Sequence, residues 1–252
     1  MAGAKDIIVR VIPSKIANEF VKKHHYSGKV VNNSQLHFGC FLGGVLHGVM
    51  QYGCPLDKRK VLGLVVNKQT GEPALWNEML ELNRMAFDDV LPKNSESRCI
   101  AVSIRLIRKQ APHIRWILSF ADGTHCGDGT IYRASGFKLT GVSTASMIEL
   151  PEKYWKYNGG GHYAHRMTLQ AKSNVMYKIM QRDLNLNGQY KTMEWYAERL
   201  GTRVVEGYQL RYIYVIDSNF RLAVPELPFS KIDEIGAGMY KGEKVTMADR
   251  HK

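Results

Sequence analysis

The chain holds only four cysteines among its 252 residues, Cys40, Cys54, Cys99 and Cys126, and no two of them stand as a C-x-x-C pair. A disulfide framework and a zinc module therefore drop out, and reduced thiols are expected. Long apolar runs are missing too: none approaches the roughly 18 residues that suggest a membrane-spanning helix, so no membrane partner is expected. The first residues lack a basic head followed by an apolar centre, and a cytoplasmic location is expected. Internal repeats and low-complexity blocks are absent. The last shortage is acid. Twenty-three Asp and Glu face 35 Lys and Arg, a formal charge of +12, and such an excess favours polyanionic partners, because cations that meet phosphates release condensed counterions. Nucleic acid heads those partners, ahead of acidic membrane surfaces and CoA-like phosphates.

What is present suits a folded core, with 44% hydrophobic and 10% aromatic residues. Ile7 to Ile12 reads as a first strand, and Pro13-Ser14 opens a short helix to about Lys23. In "LHFGCFLGGVLHGVMQYG", Leu36, Phe38, Cys40 and Leu42 alternate, then Val45, His47 and Val49, which predicts a hairpin turning at Gly43-Gly44. "ALWNEMLELNRMAF" supports helix and strand equally. "PKNSESRCIAVSIRLIRKQAP" predicts a helix: Asn94 or Ser95 can cap it, Glu96 sits in the first turn, and Ile100, Ile104 and Ile107 recur at helical spacing. "IRWILSFA" alternates as a strand, and "GTIYRASGFKLTG" as a short helix breaking at Gly136 into another strand. A loop-rich insertion is expected over about 150–205, with helical patterns around "NVMYKIMQRDL" and "TMEWYAERLG", before "GYQLRYIYVID" returns as a strand. Residues 1–224 are thus expected to form one domain carrying that insertion, and 225–252 a peripheral C-terminal extension.

Several residues carry chemistry, each with a plainer alternative. The start of the capped helix, "KNSESR", offers N–H groups to a phosphate with Lys93 and Arg98 beside it, but its lack of glycine leaves a merely well-capped helix as the alternative. Glu81 and Asn83 share one face if their segment is extended, with Arg84 on the other. An acid and an arginine inside an apolar segment cost stability unless they pair or serve a site. Asp122 follows an apolar strand and faces a glycine-rich loop, as a general base, a metal ligand, or an Asx turn capping Gly123. His24, His25, His125, His162, His165 and Cys126 supply metal-ligating groups without the spacing of a zinc module. Tyr132 can donate a proton or sit at the core edge. Tyr26 and the run Tyr154, Trp155 and Tyr157, beside Lys153 and Lys156, can stack on bases or anchor a surface loop.

Five blocks, "HHYSGK" (24–29), "ELNRMAF" (81–87), "PKNSESR" (92–98), "SFADGTHCGDGTIYRASGF" (119–137) and "LTG" (139–141), resemble in order and spacing the phage Mom family of DNA adenine-modification proteins. The layout is also similar to the GNAT acyltransferase fold. The fold class expected is therefore α/β, a GNAT-like mixed central sheet flanked by helices, with a C-terminal insertion and extension. The resemblance implies transfer of a carbamoylmethyl (acetamido) group to N6 of adenine in double-stranded phage DNA, in the host cytoplasm, protecting it from restriction. Carried over by motif, it points to Tyr26, Glu81, Arg84, Ser97, Asp122 and Tyr132 as catalytic, and to Asn94, Ser95 and Arg98 near the group donor. Asp122 would be base or metal ligand, Arg84 an anchor for donor or DNA phosphate, and Tyr132 an acid. The resemblance also raises iron as a cofactor, with His25 a candidate ligand. A homodimer is a further candidate partner, on which the sequence is silent. Since the glycine-bearing phosphate loop of GNAT enzymes is missing, the donor stays open, with acetyl-CoA one option. The competing reading is a GNAT N-acetyltransferase using acetyl-CoA on a small amine or a protein, and a third is a DNA-binding protein that keeps the fold without catalysis.

Overall fold

A computed structural model describes residues 3–25, 27–123, 127–240 and 243–244. The Ile- and Val-rich start forms β1 (Ile8–Val11), and Pro13, extended and unable to donate, leads into α1 (Ser14–His24). The hairpin β2 (Ser34–Leu42) and β3 (Val45–Gly53) turns at Gly43-Gly44, whose φ of +58° and +84° is the left-handed pair that a two-residue turn between twisted strands requires. After α2 (Lys58–Val61) and β4 (Val65–Asn67), the segment that periodicity left undecided is a strand, β5 (Met79–Phe87). Pairing on both of its edges, a non-local effect, decides that outcome. There follow α3 (Ser95–Gln110), β6 (Trp116–Asp122), α4 (Thr130–Ala134) and β7 (Lys138–Thr144).

Residues beyond β7 form β8 (Met147–Glu149), α5 (Glu152–Trp155), β9 (Tyr163–His165), α6 (Arg166–Gln170), α7 (Val175–Asp183), α8 (Met193–Leu200) and β10 (Val204–Val205). The chain then returns as β11 (Tyr208–Val215), followed by β12 (Phe220–Leu222), α9 (Ser230–Glu234), β13 (Met239–Tyr240) and β14 (Glu243–Lys244).

Seven strands make the main sheet in the order β1-β2-β3-β5-β6-β11-β7. Neighbours are antiparallel from β1 to β5, and β5 and β6 are parallel, so the sheet is mixed and helices flank it, in the expected layout. The hairpin is buried on both faces rather than on one. His37, Phe38 and Cys40 are all buried. On one face α1 contributes Ala17 and Val21 to a cluster with Ile12, Val49 and Ala86. On the other, Tyr52 shares a 2.6 Å hydrogen bond with Ser103 of α3, and the Cys40 and Cys99 thiols meet, which with burial raises the Cys40 pKa. Each fully buried aliphatic side chain here contributes about 1.5–3 kcal/mol.

The chain divides into two compact units. The first comprises Met1–Ala121, Asp128–Gly141 and Leu210–Glu234, and the second Asp122–Gly127, Val142–Gln209 and Ile235–Lys252. Past Pro225, Leu227 donates its N–H to Leu139 O at 2.8 Å and Ile232 is buried. The second unit has its own core of Ile148, Leu150, Tyr154, Leu169, Met176, Met180 and Tyr196, with the small sheet β10-β8-β9. Its helices are capped as their sequences suggest: Asn174 accepts from Met176 N–H and Thr192 from Trp195 N–H. Among the described residues, no helix is long and apolar enough to cross a membrane.

Candidate functional site

β5 and β6 pair in parallel only from Met79↔Trp116 to Leu82↔Ser119. At the last pair Ser119 Oγ donates to Leu82 O at 3.1 Å. From Asn83 onward β5 pairs with β3 alone, so the two strands part at their carboxyl ends, the place where ligand crevices open in α/β sheets. The β3 register shifts at the same level. Gln51 faces Arg84 and Tyr52 faces Leu82, which leaves Asn83 as an extra residue in β5. Such a bulge re-aims side chains and ends pairing. Leu82 and Asn83 on either side of it are both buried.

Polar groups gather around the bulge. Burial pushes the Glu81 carboxyl up to about 7, against the opposing pull of Arg84. The two residues form no ion pair. Arg84 Nε instead donates to Lys29 O at 3.1 Å and Nη1 to Asn83 O at 2.8 Å. Burial and the Arg84 charge together lower the Lys29 pKa. Ser34 Oγ donates to Asn83 Oδ1 at 2.9 Å, whereas the buried Asn83 Nδ2 has no partner among the described residues. Beside it in the sheet, Gln51 Nε2 donates to Asn18 Oδ1 at 2.8 Å and lies 3.1 Å from His37 Nδ1, which accepts because an amide nitrogen can only donate; burial lowers the His37 pKa.

The start of α3 differs from the expected cap. Asn94 is left-handed at φ +68° and makes no side-chain cap bond. Ser95 Oγ donates to Pro92 O, and Ser97 Oγ to Asn94 O at 3.2 Å, so both hydroxyls turn back onto their own chain. Neither serine caps the helix, since each hydroxyl proton is directed to a preceding carbonyl. Ser135 Oγ, just after α4, donates to Ile131 O at 2.7 Å and lies 3.4 Å from Ser97 O, where α3 and α4 approach each other. Arg98 Nε is buried without a partner.

Tyr132 is buried in α4, its ring 5.3 Å from Tyr212 and 5.6 Å from Phe137, close enough to Tyr52 to help raise that phenol's pKa. Asp122 ends β6 and belongs to the second unit, where its charge opposes the burial that lowers the His165 pKa. Gly123 N–H goes to Tyr208 O at 2.8 Å. His25 Nδ1 is engaged locally, 2.8 Å from Ser27 Oγ and accepting from Ser27 N–H. Among the described residues no group of three His, Cys, Asp or Glu side chains can hold a metal ion. Tyr26, His125 and Cys126 lie outside the described residues. The aromatic run is largely spent inside the second unit: Tyr154 is buried, Trp155 stacks on His162 at 3.8 Å and donates to Leu150 O, and Tyr157 is exposed beneath Lys156.

The structure thus brings Glu81 and Arg84 together on one strand and joins the Ser97 turn to the helix of Tyr132. Sequence reasoning passed over Ser34, the role of Asn83 and the network of Gln51, His37 and Asn18. An amide in the middle of "LELNRMAF" was the available signal for the bulge.

The family model described as the Mom protein family matches residues 6–231. A curated relative from Escherichia phage Mu, named methylcarbamoylase mom, is 35% identical over 170 residues, covering 67% of this chain and 64% of that protein. The match therefore spans less than two thirds of the relative's length. Among solved structures, a spermidine/spermine N-acetyltransferase from Vibrio cholerae, in complex with manganese ions, is 9% identical with a TM-score of 0.43, over 85% of this chain and 95% of that one. A Bacillus subtilis acetyltransferase in complex with CoA is 9% identical with a TM-score of 0.40, over 81% and 97%.

Proposed function

The chain belongs to the Mom protein family, and from that premise we propose that it is a transferase that places a carbamoylmethyl group on N6 of adenine in phage DNA, in the host cytoplasm, protecting it from restriction. The observation that carries the chemistry is Glu81, a carboxyl with its pKa pushed up to about 7, set where β5 and β6 part. Adenine N6 is a poor nucleophile because its lone pair is delocalised into the ring, so it needs positioning and a base. A carboxylate that ionises near neutrality is suited to that work. In the proposed step the N6–carbon bond forms as the bond from carbon to the leaving group breaks. Glu81 takes the N6 proton and the leaving group keeps the electron pair. Arg84, one residue past the bulge, holds donor or DNA phosphate, and Ser97 lies toward the donor. Asp122 is a second candidate base, and Tyr132 serves as an acid only if its hydroxyl is reached from its buried position. Tyr26, Asn94, Ser95 and Arg98 complete the proposed set. In a duplex the base must leave the stack to be reached, and the net charge of +12 supports a DNA partner.

The donor is constrained by composition. An acetyl thioester alone delivers an acetyl group through its carbonyl carbon, whereas a carbamoylmethyl group also carries an amide nitrogen and bonds through its methylene. Acetyl-CoA is at most part of the donor. The described residues do not fit an iron site.

Mass spectrometry of nucleosides from plasmid DNA tests the reading, in cells expressing the protein, its Glu81→Gln variant, or the phage Mu relative. Deoxyadenosine bearing one acetamido group is expected with the wild type, falling roughly 100-fold or more with the variant. Unmodified DNA beside folded wild-type protein, in a host where the relative modifies the same plasmid, overturns the reading. Acetylation of a small amine would then favour the acetyltransferase.

A further inference from the structure

The outer face of α3 carries Arg98, Arg105 and Arg108. At 100° per residue these positions fall within about 80° of one another, and at 1.5 Å per residue they extend over about 15 Å. They line a groove of about 430 Å³ whose other side is built by Ser135, Tyr214 and Ile216. Arg105 and Arg108 are exposed, and no ion pair joins any of the three arginines to a carboxylate among the described residues. Arg98 is half-buried with its Nε unpartnered. Like charges aligned without acids repel one another, and a buried guanidinium donor left unpaired costs free energy. Both costs are offset when an anion enters the groove.

We propose that this groove seats the sugar–phosphate backbone of duplex DNA, outside the cluster around Glu81. Guanidinium groups match phosphate oxygens bidentately. One strand of B-form DNA presents a phosphate every 3.4 Å or so along the axis, so about 15 Å meets roughly four of them. The ring of Tyr214 and the side chain of Ile216 offer an apolar floor to the sugars. Backbone contacts of this kind fix orientation without reading sequence. The inference rests on the proposed DNA substrate.

The test is binding of a fluorescein-labelled duplex, followed by anisotropy across a salt series, with no group donor present. Arg105→Gln with Arg108→Gln removes two charges from exposed, unpaired positions. The slope of log K against log salt should become shallower by about 1.8, and affinity should fall roughly tenfold or more. The control, Lys58→Gln with Arg59→Gln, removes the same charge from α2 and should change the slope by less than half as much. Equal effects of the two pairs, or none from the arginine pair, overturn the groove while leaving the DNA reading intact. Tighter binding of labelled polyglutamate than of duplex also overturns it, in favour of an acidic protein. A wild type that binds no duplex overturns both.

Discussion

β5 and β6 lie side by side at the same depth of one sheet and are made of opposite materials. Trp116, Ile117 and Leu118 of β6 are fully buried hydrophobes, and the one hydroxyl that follows them, on Ser119, is spent on Leu82 O. β5 carries Glu81, Asn83 and Arg84 across the same stretch, with a carboxyl held near neutrality and an amide donor without a partner. A buried polar atom left unpaired costs about 1–3 kcal/mol. Both strands bear such a cost, at Asn83 Nδ2 in β5 and at Trp116 Nε1 in β6. The difference lies in the charged and polar side chains that β5 alone carries, and such departures from an apolar core are expected where a site is, which is why the proposed site is set on β5.

The comparison breaks most visibly in β6. Leu118→Ala removes a side chain with no exposed surface and leaves a cavity, at a cost of about 2–5 kcal/mol. Urea unfolding measures it. A loss below about 1 kcal/mol would mean that β6 is not the packed strand its burial indicates.

Glu81 gives a smaller effect of opposite character. Its carboxyl ionises near 7 in the folded protein, against an ordinary value of 4.5. Between those values the folded state binds more protons than the unfolded one. The stability from this group is fully present below the unfolded pKa and is lost as pH rises through about 7, by at most roughly 3 kcal/mol. Glu81→Gln should abolish that loss and leave the variant more stable than wild type at about pH 8. The proposed adenine modification should move the other way, rising through pH 7 in the wild type as Glu81, its proposed base, ionises. Equal loss of stability by wild type and variant from about pH 5 to pH 8 would remove Glu81 as the titrating group.

The two strands were unequally legible. "IRWILSFA" announces β6 by its alternation, as "GG" announces the hairpin turn and the Ile100, Ile104 and Ile107 spacing announces α3. β5 is ambiguous because its pattern fits either period, and only β3 and β6 on its two edges make it a strand. The residues of the proposed site, Glu81 and Arg84, stand out as charges in an apolar run. Their arrangement does not, since the bulge at Asn83 is a property of register with β3, some thirty residues away along the chain. Local backbone also defeats the cap reading: whether Ser95 faces a ligand or Pro92 O depends on the left-handed Asn94. The Arg98, Arg105 and Arg108 spacing was readable from the helix period alone.

Ser34→Ala removes the partner that Asn83 Oδ1 has among the described residues and should cost about 1 kcal/mol, because a second atom of a buried amide is then unsatisfied. Asn83→Leu strands the serine hydroxyl but also removes the unpaired Nδ2, so its net cost should be smaller. Made together, the changes remove donor and acceptor at once, so the double variant should lose less than the sum by about 0.5–1 kcal/mol. Single effects that add within about 0.3 kcal/mol would mean that no hydrogen bond links the strands there. The double variant also makes the middle of β5 resemble β6. If it unfolds no more easily than wild type while adenine modification collapses, the polar bulge serves the chemistry, since the fold does without it. If modification survives, the bulge is a structural device for ending the β5–β6 pairing, and Glu81 acts without the amide beside it.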